Sequence, residues 1–484
     1  MRSRSSWILS RSLALLVATT LLSIVVPAGP ASAVPSNINI SQRSGNEAED
    51  AIAVNPTDPS NVVAMSTLPG PVSGLFEGVS FDGGLTWTRQ IIGDGTDQLG
   101  EICCDQQLAW DEFGNLWMVY LFSGSSGNVP IAVSTDGGLT FEKVAEVVPT
   151  KPKGIGPTGH VGSKGNGASA KGAASADQPS IAAGEGSVWM SYTSYPAVVV
   201  QAAGAEVTGL GQVGDFSTPE TVPTSRGVGN FGDTSIGPDG QVMVIYQDQT
   251  AGQGGARIFT ALDPDGLGSD GFDAPRFFAR TRVGGFDYLP AQPDRSVDAE
   301  ANLAWDRSGG AHDGRVYAIW TREVKNESNN MDIMLRHSDD DGATWSSARK
   351  LNDDNGTNSQ INPAIAVDQT TGDVAASWYD ARRDHGAGGA GDTDGIPNDD
   401  VQLWATDSMN GGSTFASNFR VSQGTTNASE AVTGSGFNLG DYTHAAFEDG
   451  TFYPAWSDNS NSTGDNPDGT LHELDLYTAK VVVT

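Results

Sequence analysis

The chain is poor in cysteine, in basic residues and in long apolar segments, and each shortage excludes a class of protein. Its only two cysteines, Cys103 and Cys104, are adjacent. With no Cys-x-x-Cys spacing and no further thiol, a redox-catalytic role is excluded. Neighbouring thiols in an oxidising compartment could form a vicinal disulfide, although its small ring departs from ordinary bridge geometry. The alternative is two buried thiols.

Basic residues are scarce beside the acids. The chain has 27 Lys and Arg against 59 Asp and Glu, a formal net charge of −32. Phosphate surfaces would repel such a protein, so we expect neither nucleic acid nor an anionic membrane as a partner. Clustered carboxylates are, however, what Ca²⁺ requires.

A long apolar run occurs only at the N-terminus. Arg2, Arg4 and Arg11 precede and enter an apolar stretch at 13–26, and Ala31-Ser32-Ala33 supplies small residues for cleavage. This order predicts a signal peptide over residues 1–33 rather than a transmembrane helix, which needs about 20 apolar residues. We therefore expect a secreted, extracellular protein with no membrane insertion.

Helical periodicity is also missing from the rest of the chain. The sequence has 61 glycines and only 18% charged residues, and its apolar residues fall in short runs between turn signals. Such a pattern favours many short strands. We expect residues 34–484 to form one all-β domain, and an all-β chain of this length needs internal repetition.

One repeat is a turn motif of fixed spacing, Ser-x-Asp/Asn-x-Gly-x-Thr-Trp/Phe. An Asp or Asn side chain can accept backbone N–H groups, the Gly supplies a positive φ, and the Ser and Thr hydroxyls tie the adjoining backbone. The terminal aromatic residue can pack between sheets. The four copies are Ser80–Trp87, Ser134–Phe141, Ser338–Trp345 and Ser408–Phe415.

The turn motif resembles the Asp box, or BNR repeat, of sialidases and many other secreted β-propellers. The resemblance implies that the box is structural and that its carboxylates lie outside any active site. Sialidases are six-bladed and carry an Arg-Ile-Pro motif before the first box. The nearest string here, Arg257-Ile258-Phe259, lies in another blade and lacks the Pro, so no arginine triad is carried over.

A second repeat, a pair of strands joined by a turn, occurs seven times. The pairs are 51–66, 108–120, 181–192, 236–246, 303–320, 365–378 and 445–456. With two more strands after each pair, they predict a propeller of seven four-stranded blades, with six as the alternative. The last pair leaves only 474–483 for a third strand. We therefore expect 37–41 to supply the fourth strand and close the ring.

Two segments interrupt the repeats as insertions. Residues 151–176 are rich in Gly, Ala, Ser and Lys and have no apolar period, which is typical of a flexible loop. Residues 384–400 are acidic, and Asp392, Asp394 and Asp399 could bind Ca²⁺, although the spacing does not match an EF-hand. The alternative is a solvated acidic loop. No other cofactor is expected.

Propeller ligands usually bind on the axis, on the face opposite the turn motifs. Polar residues precede each innermost strand and should form a ring around this upper mouth, with Asp50, Asp177, Asp298 and Asp441 beside some of them. The ring members are Glu49, Asp105, Gln178, Asp233, Glu300, Asn362 and Tyr442. We interpret Glu49, Asp105, Asp233 and Glu300 as substrate-binding, with Tyr442 as a catalytic candidate. The alternative is capping of strand ends and ordered water.

A second set of candidates follows the second strands. Asp or Glu can act as acid, base or nucleophile, and Arg presents a fork to a substrate carboxylate. The catalytic candidates are Asp248, Arg322, Tyr379, Asp380 and Arg382, and the substrate-binding candidates are Arg257 and Arg383. The alternative for Asp380 is a rim salt bridge with Arg382 or Arg383.

These residues predict a secreted, carbohydrate-active propeller, most simply a sialidase-like exo-glycosidase acting on an extracellular glycan. A polysaccharide lyase acting on a uronate fits the same residues. The competing class is a non-catalytic propeller that binds a glycan or a protein. In each case we expect a monomer whose partner is a glycan or another extracellular ligand.

Overall fold

A computed structural model describes residues 34–69, 73–124, 127–150, 175–248, 252–431 and 436–483. The predicted signal peptide and residues 151–174 of the first predicted insertion lie outside these ranges. The described residues form an all-β structure of seven blades arranged in a ring. None of the described segments is a helix long and apolar enough to cross a membrane.

The seven blades are antiparallel sheets built in chain order, except that the first strand of the chain, β1 (Asn37–Asn39), belongs to the last blade. Blade one is β2 (Ala48–Val54), β3 (Val62–Thr67), β4 (Leu75–Ser80) and β5 (Thr88–Ile92). Blade two is β6 (Ile102–Trp110), β7 (Leu116–Phe122), β8 (Val129–Ser134) and β9 (Glu142–Val147).

Blades three and four follow the same order from the axis outwards. Blade three is β10 (Ser175–Gly184), β11 (Ser187–Tyr195) and β12 (Val199–Gly209), with β13 (Gln212–Val213) and β14 (Glu220–Thr221) both pairing with β12. Blade four is β15 (Asn230–Ile236), β16 (Val242–Gln247), β17 (Ala256–Asp263) and β18 (Arg276–Thr281). A separate hairpin, β19 (Asp287–Leu289) and β20 (Gln292–Val297), precedes blade five.

The last three blades complete the ring. Blade five is β21 (Asn302–Trp305), β22 (Val316–Glu323), β23 (Met331–Ser338) and β24 (Arg349–Lys350). Blade six is β25 (Gln360–Val367), β26 (Val374–Asp380), β27 (Gln402–Ser408) and β28 (Phe419–Arg420). Blade seven is β29 (Ala445–Glu448), β30 (Thr451–Asp458), β31 (Asp475–Ala479) and β1, with β32 (Val481–Val482) also pairing with β30.

The predicted ring closure is confirmed. Strand β1 pairs antiparallel with β31, with Asn37 opposite Ala479 and Asn39 opposite Tyr477. All seven predicted strand pairs are also present, which excludes the six-bladed alternative. In blades two, three and four the inner strand begins six residues before the predicted start, at Ile102, Ser175 and Asn230, because polar residues of the strand precede its apolar run.

The four turn motifs adopt the hydrogen bonding predicted for them. In the first copy the Ser80 hydroxyl accepts the N–H of Gly84 at 2.9 Å, and Asp82 accepts the N–H and the hydroxyl of Thr86 at 2.8 and 2.6 Å. The copies at Asp136 and Asp340 repeat this arrangement, and the Asn410 copy keeps the bond from the N–H of Thr414. Each turn joins the third and fourth strands of its blade, on the face opposite the loops that lead into the innermost strands.

Large aromatic side chains fill the spaces between neighbouring blades. Trp117, Trp305, Trp320, Trp378 and Trp456 are almost fully buried. Burying a large apolar side chain contributes roughly 1.5–3 kcal/mol, so the packing of blade on blade supplies much of the stability. This rigid ring fixes the positions of the loops at its upper mouth.

Candidate functional site

A β-bulge recurs near the start of the innermost strand in five blades. The register of each inner strand against its neighbour shifts there, as between Ala48 and Ala51 in blade one and between Asn230 and Asp233 in blade four. A bulge adds an unpaired residue and re-aims its side chain. The predicted polar ring is built largely on these bulges.

The residue at the bulge has a left-handed backbone although it is not glycine. Six blades hold such a residue at the equivalent position, and they are Glu49 (φ 61°), Asp105 (57°), Gln178 (43°), Phe231 (50°), Glu300 (40°) and Asn362 (47°). This conformation costs a non-glycine residue of order 1–3 kcal/mol, and strain of this kind concentrates at functional sites. The repetition therefore marks the upper mouth as the candidate site.

In blade four the ring position belongs to Phe231, whereas the sequence indicated Asp233. Asp233 lies two residues further on and lines the axial channel, a cavity of about 290 Å³. Its carboxylate accepts the hydroxyl of Ser180 at 2.6 Å and the N–H of Leu303 at 2.7 Å, and so connects blades three, four and five.

Among the residues that the structure describes, Arg295 is the basic residue that binds the ring acids. It lies on β20 of the extra hairpin, which reaches across the mouth to the segment leading into blade seven. The side chain of Asn438 accepts the N–H groups of Asp294 and Arg295 at 3.0 Å each, and Gln292 donates to Gly440 O at 2.7 Å. The hairpin therefore anchors Arg295 over the ring.

Arg295 binds two carboxylates from opposite ends of the chain. Its Nε donates to Asp441 Oδ1 at 2.7 Å and its Nη2 to Glu49 Oε1 at 2.8 Å, with a second contact from Nη2 to Asp441 Oδ2. The guanidinium also lies 4.7 Å from the centre of the Phe437 ring. Glu49 is fully buried, whereas the Arg295 and Asp441 side chains are 21% and 24% exposed, so the site opens to solvent at this pair.

Six acids surround this single arginine. Besides Glu49 and Asp441 they are Asp105, Asp177, Asp298 and Glu300. Burial raises the pKa of Glu49 and of Asp105 to about 8 each, although Arg295 opposes the rise. Burial alone lowers the pKa of Arg295, but the charges of Asp441 and Glu49 outweigh it and raise that pKa. The cluster therefore holds protons at neutral pH.

Two acids of the cluster are neighbours in the chain and in space: Asp298 Oδ1 accepts the backbone N–H of Glu300 at 2.6 Å. Burial raises the pKa of Asp298 to about 7 and that of Glu300 well above its usual range, and the charge of Asp298 and its hydrogen bond add to the rise for Glu300. When neighbouring carboxyl groups have different pKa values, the one with the higher pKa can act as an acid while the other stays a carboxylate.

Polar atoms without a protein partner line the same mouth. The Tyr442 hydroxyl, Glu300 Oε2 and Asn362 Oδ1 are each buried and have no hydrogen-bond partner among the residues that the structure describes. Burial, together with the charges of Asp105 and Glu49, raises the pKa of Tyr442. Buried polar groups are rarely left unpartnered in proteins, so these atoms indicate a place for a polar ligand or water.

The second predicted set lies apart from this cluster and is largely occupied by internal contacts. Asp380 is 1% exposed and accepts hydrogen bonds from Trp378 Nε1 at 2.8 Å and Arg382 Nε at 2.9 Å. Arg382 also binds Asp353 at 2.7 Å and stacks 4.1 Å from the Trp404 ring. This is the rim salt bridge that the sequence left open as the alternative for Asp380.

Other members of the second set are engaged in the same way. Arg257 binds Asp248 at 2.6 Å, and the Tyr379 hydroxyl accepts the N–H of Ser457 at 2.8 Å. Arg383 is exposed and lies 5.3 Å from the Trp404 ring. Arg322 is partly exposed, with Met334 Sδ at 3.9 Å from its Nη1. The structure therefore brings together Glu49, Asp105, Glu300 and Tyr442, and not the residues of the second set.

The acidic loop of blade six and the cysteine pair also lie within the described residues. Carboxylate oxygens of Asp394, Asp399 and Asp400 lie within 4.8 Å of one another, and Asp392 belongs to a second such group with Asp384 and Asp400. The Sγ atoms of Cys103 and Cys104, at the start of β6, are bonded as a vicinal disulfide.

Sequence reasoning missed Arg295. It sits in a hairpin outside the repeat, and no pattern connected it with Asp441, which is 146 residues away. The length of one connection could have indicated this hairpin. The segment between the last strand of blade four and the first strand of blade five is longer than a connection between blades needs. The dense run Asp294-Arg295-Ser296-Val297-Asp298 marks that surplus.

No protein-family model matches this sequence, and no curated protein matches it. Solved structures of similar chain path include an α-L-arabinanase of Penicillium chrysogenum complexed with arabinobiose, at 14% identity over 78% of this chain and 99% of that chain, with a TM-score of 0.46.

Two further solved structures match over most of this chain. The GH93 α-L-arabinofuranosidase of Fusarium graminearum with arabinobiose is 14% identical over 72% of this chain and 93% of that chain, with a TM-score of 0.45. The Hadza microbial sialidase Hz136 is 12% identical over 87% of this chain and 74% of that chain, with a TM-score of 0.42. Likenesses this distant carry no conclusion about function, which must come from the residues of the site.

Proposed function

We propose that this chain is a secreted glycoside hydrolase that acts on an uncharged glycan at the upper mouth of the propeller. The observation that carries the proposal is the cluster of six acids at Arg295, in which Asp298 and Glu300, two neighbouring acids of raised pKa, lie near the ion-paired Asp441. Glycoside hydrolysis needs one carboxylic acid that protonates the leaving oxygen and one carboxylate that acts as nucleophile or base.

The roles follow from the surroundings of each acid. Glu300 has a raised pKa and a buried Oε2 with no partner among the described residues, so it is the acid that donates a proton to the glycosidic oxygen. Asp441 is bound by Arg295 and reaches solvent, so it is the carboxylate that serves as nucleophile or base. Phe437 beside Arg295 supplies an apolar face on which a sugar ring can stack.

The charge of the site favours an uncharged substrate over the sialoside or uronate considered from the sequence. One arginine stands among six acids, and it already binds two of them. Arg257 and Arg382, candidates for a substrate carboxylate, are themselves engaged by Asp248, Asp353 and Asp380. A substrate carboxylate would therefore meet repulsion at this mouth.

The test is hydrolysis of a panel of arabinan, xylan, galactan and glucan, with sialosides and polyuronates as charged alternatives. We expect turnover on an uncharged glycan and a loss of at least about 100-fold in kcat for Glu300→Gln and Asp441→Asn. Glu77→Gln is the matched control, since Glu77 is a buried acid of raised pKa in blade one, outside the mouth.

Turnover that is unchanged in both site variants would refute the assigned roles. Hydrolysis of a charged glycan alone would refute the substrate class. Binding of a glycan with no turnover would replace the hydrolase with the non-catalytic binding propeller.

A further inference from the structure

The acidic loop between the second and third strands of blade six, residues 384–400, carries a cluster that the proposed hydrolase chemistry does not use. Five aspartates fall within these 17 residues, at positions 384, 392, 394, 399 and 400. They form two overlapping groups of three, Asp384 with Asp392 and Asp400, and Asp394 with Asp399 and Asp400. In each group one carboxylate oxygen per residue lies within 4.8 Å of the others.

One carboxylate of the second group is buried without a partner. Asp399 is 2% exposed, and its Oδ1 has no hydrogen-bond partner within the described part of the chain. The other oxygen, Oδ2, has only a long contact of 3.5 Å with Asn427 Nδ2. A buried carboxylate oxygen with no donor is costly, and a bound cation would satisfy it.

Apart from Asp399, every member of the two groups accepts short hydrogen bonds; in the second group Asp394 accepts the N–H of Ile396 at 2.7 Å and Asp400 accepts the hydroxyl of Thr393 at 2.7 Å. Asp384 accepts the N–H groups of Asp399 and Asp400 at 2.8 and 3.0 Å and that of Gly386 at 3.1 Å. Asp392 accepts the N–H groups of Gly388 and Gly395 at 2.5 and 2.7 Å. Of the two groups, only the one around Asp399 contains an oxygen that is both buried and unpartnered.

The spacing of the second group suits Ca²⁺. Oxygen ligands bind Ca²⁺ at 2.3–2.6 Å, so two ligands of one ion lie no more than about 5 Å apart. Ca²⁺ also accepts flexible, loop-built sites with several carboxylates, whereas Mg²⁺ is rarely held by an all-protein cage. Three carboxylates close together and one buried oxygen without a donor meet these requirements.

We propose that Asp394, Asp399 and Asp400 bind one Ca²⁺ ion, which fastens the upper loop of blade six to blade seven. The loop already contacts the segment leading into blade seven, since Val401 and Thr426 exchange backbone hydrogen bonds of 2.9 Å. Asn398 holds the other side by accepting the N–H of Ser359 at 2.7 Å and donating to Asn329 O at 3.0 Å. The ion is structural, so the proposal stands apart from the proposed hydrolysis.

The test is calcium titration of the chelator-treated full chain by calorimetry, with thermal unfolding as a second readout. We expect one Ca²⁺ per chain with a Kd of about 10⁻³ M or tighter and a rise in Tm of a few degrees at saturation. Asp399→Asn and Asp394→Asn should each weaken binding at least tenfold and abolish the rise in Tm. Asp394 is exposed, so its variant keeps the test valid should Asp399→Asn fail to fold.

Asp270→Asn, at an exposed site in blade four, is the control that should bind as the wild type does. No saturable calcium binding up to 10 mM, or binding unchanged in both the Asp394 and Asp399 variants, would overturn the proposal. Loss of binding in Asp392→Asn alone would place the ion in the other group and overturn the assignment as well.

Discussion

Buried acids are the most distinctive residues of this protein, and they occur outside the mouth as well as in it. Glu77, on the third strand of blade one, is fully buried, and its Oε2 accepts a hydrogen bond from Gln90 at 2.6 Å. Burial raises its pKa to about 8. Glu77 lies away from Arg295. A substitution at Glu77 therefore tests the free-energy cost of burying a carboxyl group without changing the candidate site.

The free energy of unfolding of Glu77→Gln should depend less on pH than that of the wild type. The folded state holds the Glu77 proton up to about pH 8, whereas the unfolded chain loses it near 4.3. Its contribution is therefore complete below about pH 4 and is lost as pH rises to 8, at roughly 1.4 kcal/mol per unit of pKa difference at most. Urea unfolding from pH 4.5 to 8 should show a flatter decline in the variant than in wild type.

Glu142→Gln, at an exposed position of blade two, is the control and should leave the decline unchanged. Equal slopes for Glu77→Gln and wild type would contradict the raised pKa.

Arg295 should stabilise the fold as well as the site. Arg295→Met removes the side chain that binds both Asp441 and the fully buried Glu49. Because burial raises the pKa of Glu49 to about 8, Glu49 is mostly protonated at pH 7, and the loss is that of the hydrogen bonds that Arg295 donates, about 1–3 kcal/mol. Arg295→Lys keeps the charge and should cost less. The free energy of unfolding at pH 7 should be measured for both variants, with Arg280→Met, at an exposed position, as the control. An unchanged free energy of unfolding in Arg295→Met would contradict the stabilising role of Arg295.

At the scale of elements, the turn motif is a self-contained unit. Its hydrogen bonds all fall within about eight residues, which is why the motif could be interpreted from spacing alone. The Asn410 copy differs in one respect: its Nδ2 donates to the Thr414 hydroxyl at 2.7 Å, whereas in the Asp copies the Thr hydroxyl donates to the carboxylate. Asn therefore preserves the turn by reversing one bond.

This reversal predicts an order of stability at Asp136. Asp136→Asn should cost little, since an Asn already serves this role in blade six. Asp136→Ala removes the bonds from the Thr140 N–H and hydroxyl and should cost about 1–2 kcal/mol. Thermal unfolding compares the stability of the Asn and Ala variants. Hydrolysis should be unchanged in both, since the turn lies on the face of the propeller opposite the candidate site. An Ala variant as stable as the Asn variant would contradict the turn's role.

At the scale of the whole molecule, the segment around β1 joins the last blade to the first. Asn39 pairs with Tyr477 of blade seven, while the fully buried Ile40 packs in one cluster with Trp87 of blade one and Leu476 of blade seven. The segment therefore covers an open sheet edge and seals the ring at once.

Ile40→Ala should destabilise the whole propeller by about 2–5 kcal/mol, because it leaves a cavity between two blades. Deleting residues 34–41 should be more severe, since it also exposes the edge of β31 to association with other chains. Thermal unfolding and light scattering measure the two effects. Ile91→Ala, at a side chain that is 39% exposed, is the control and should destabilise the protein far less. An equal loss of stability in Ile40→Ala and Ile91→Ala would contradict the role of Ile40 in joining the two blades.

The repeated features of the fold could be predicted from the sequence. The seven strand pairs, the turn motifs and the ring closure all follow local or periodic patterns, and each is confirmed. The polar ring was predicted at the correct residues in blades such as one, two and five. In blade four the ring position is occupied by Phe231 and not by the predicted Asp233, because the bulge that defines the position leaves no periodic signal in the sequence.

The local sequence thus determined the strands, the turns and the number of blades, because each depends on contacts among residues close along the chain. Only the tertiary structure decided which acids meet and what opposes their charge. Arg295 reaches Glu49 and Asp441 across 246 and 146 residues through a hairpin that belongs to no blade. The charge balance of the mouth depends on that one long-range contact, since burial and Coulomb interactions follow distance in space and not position in the sequence.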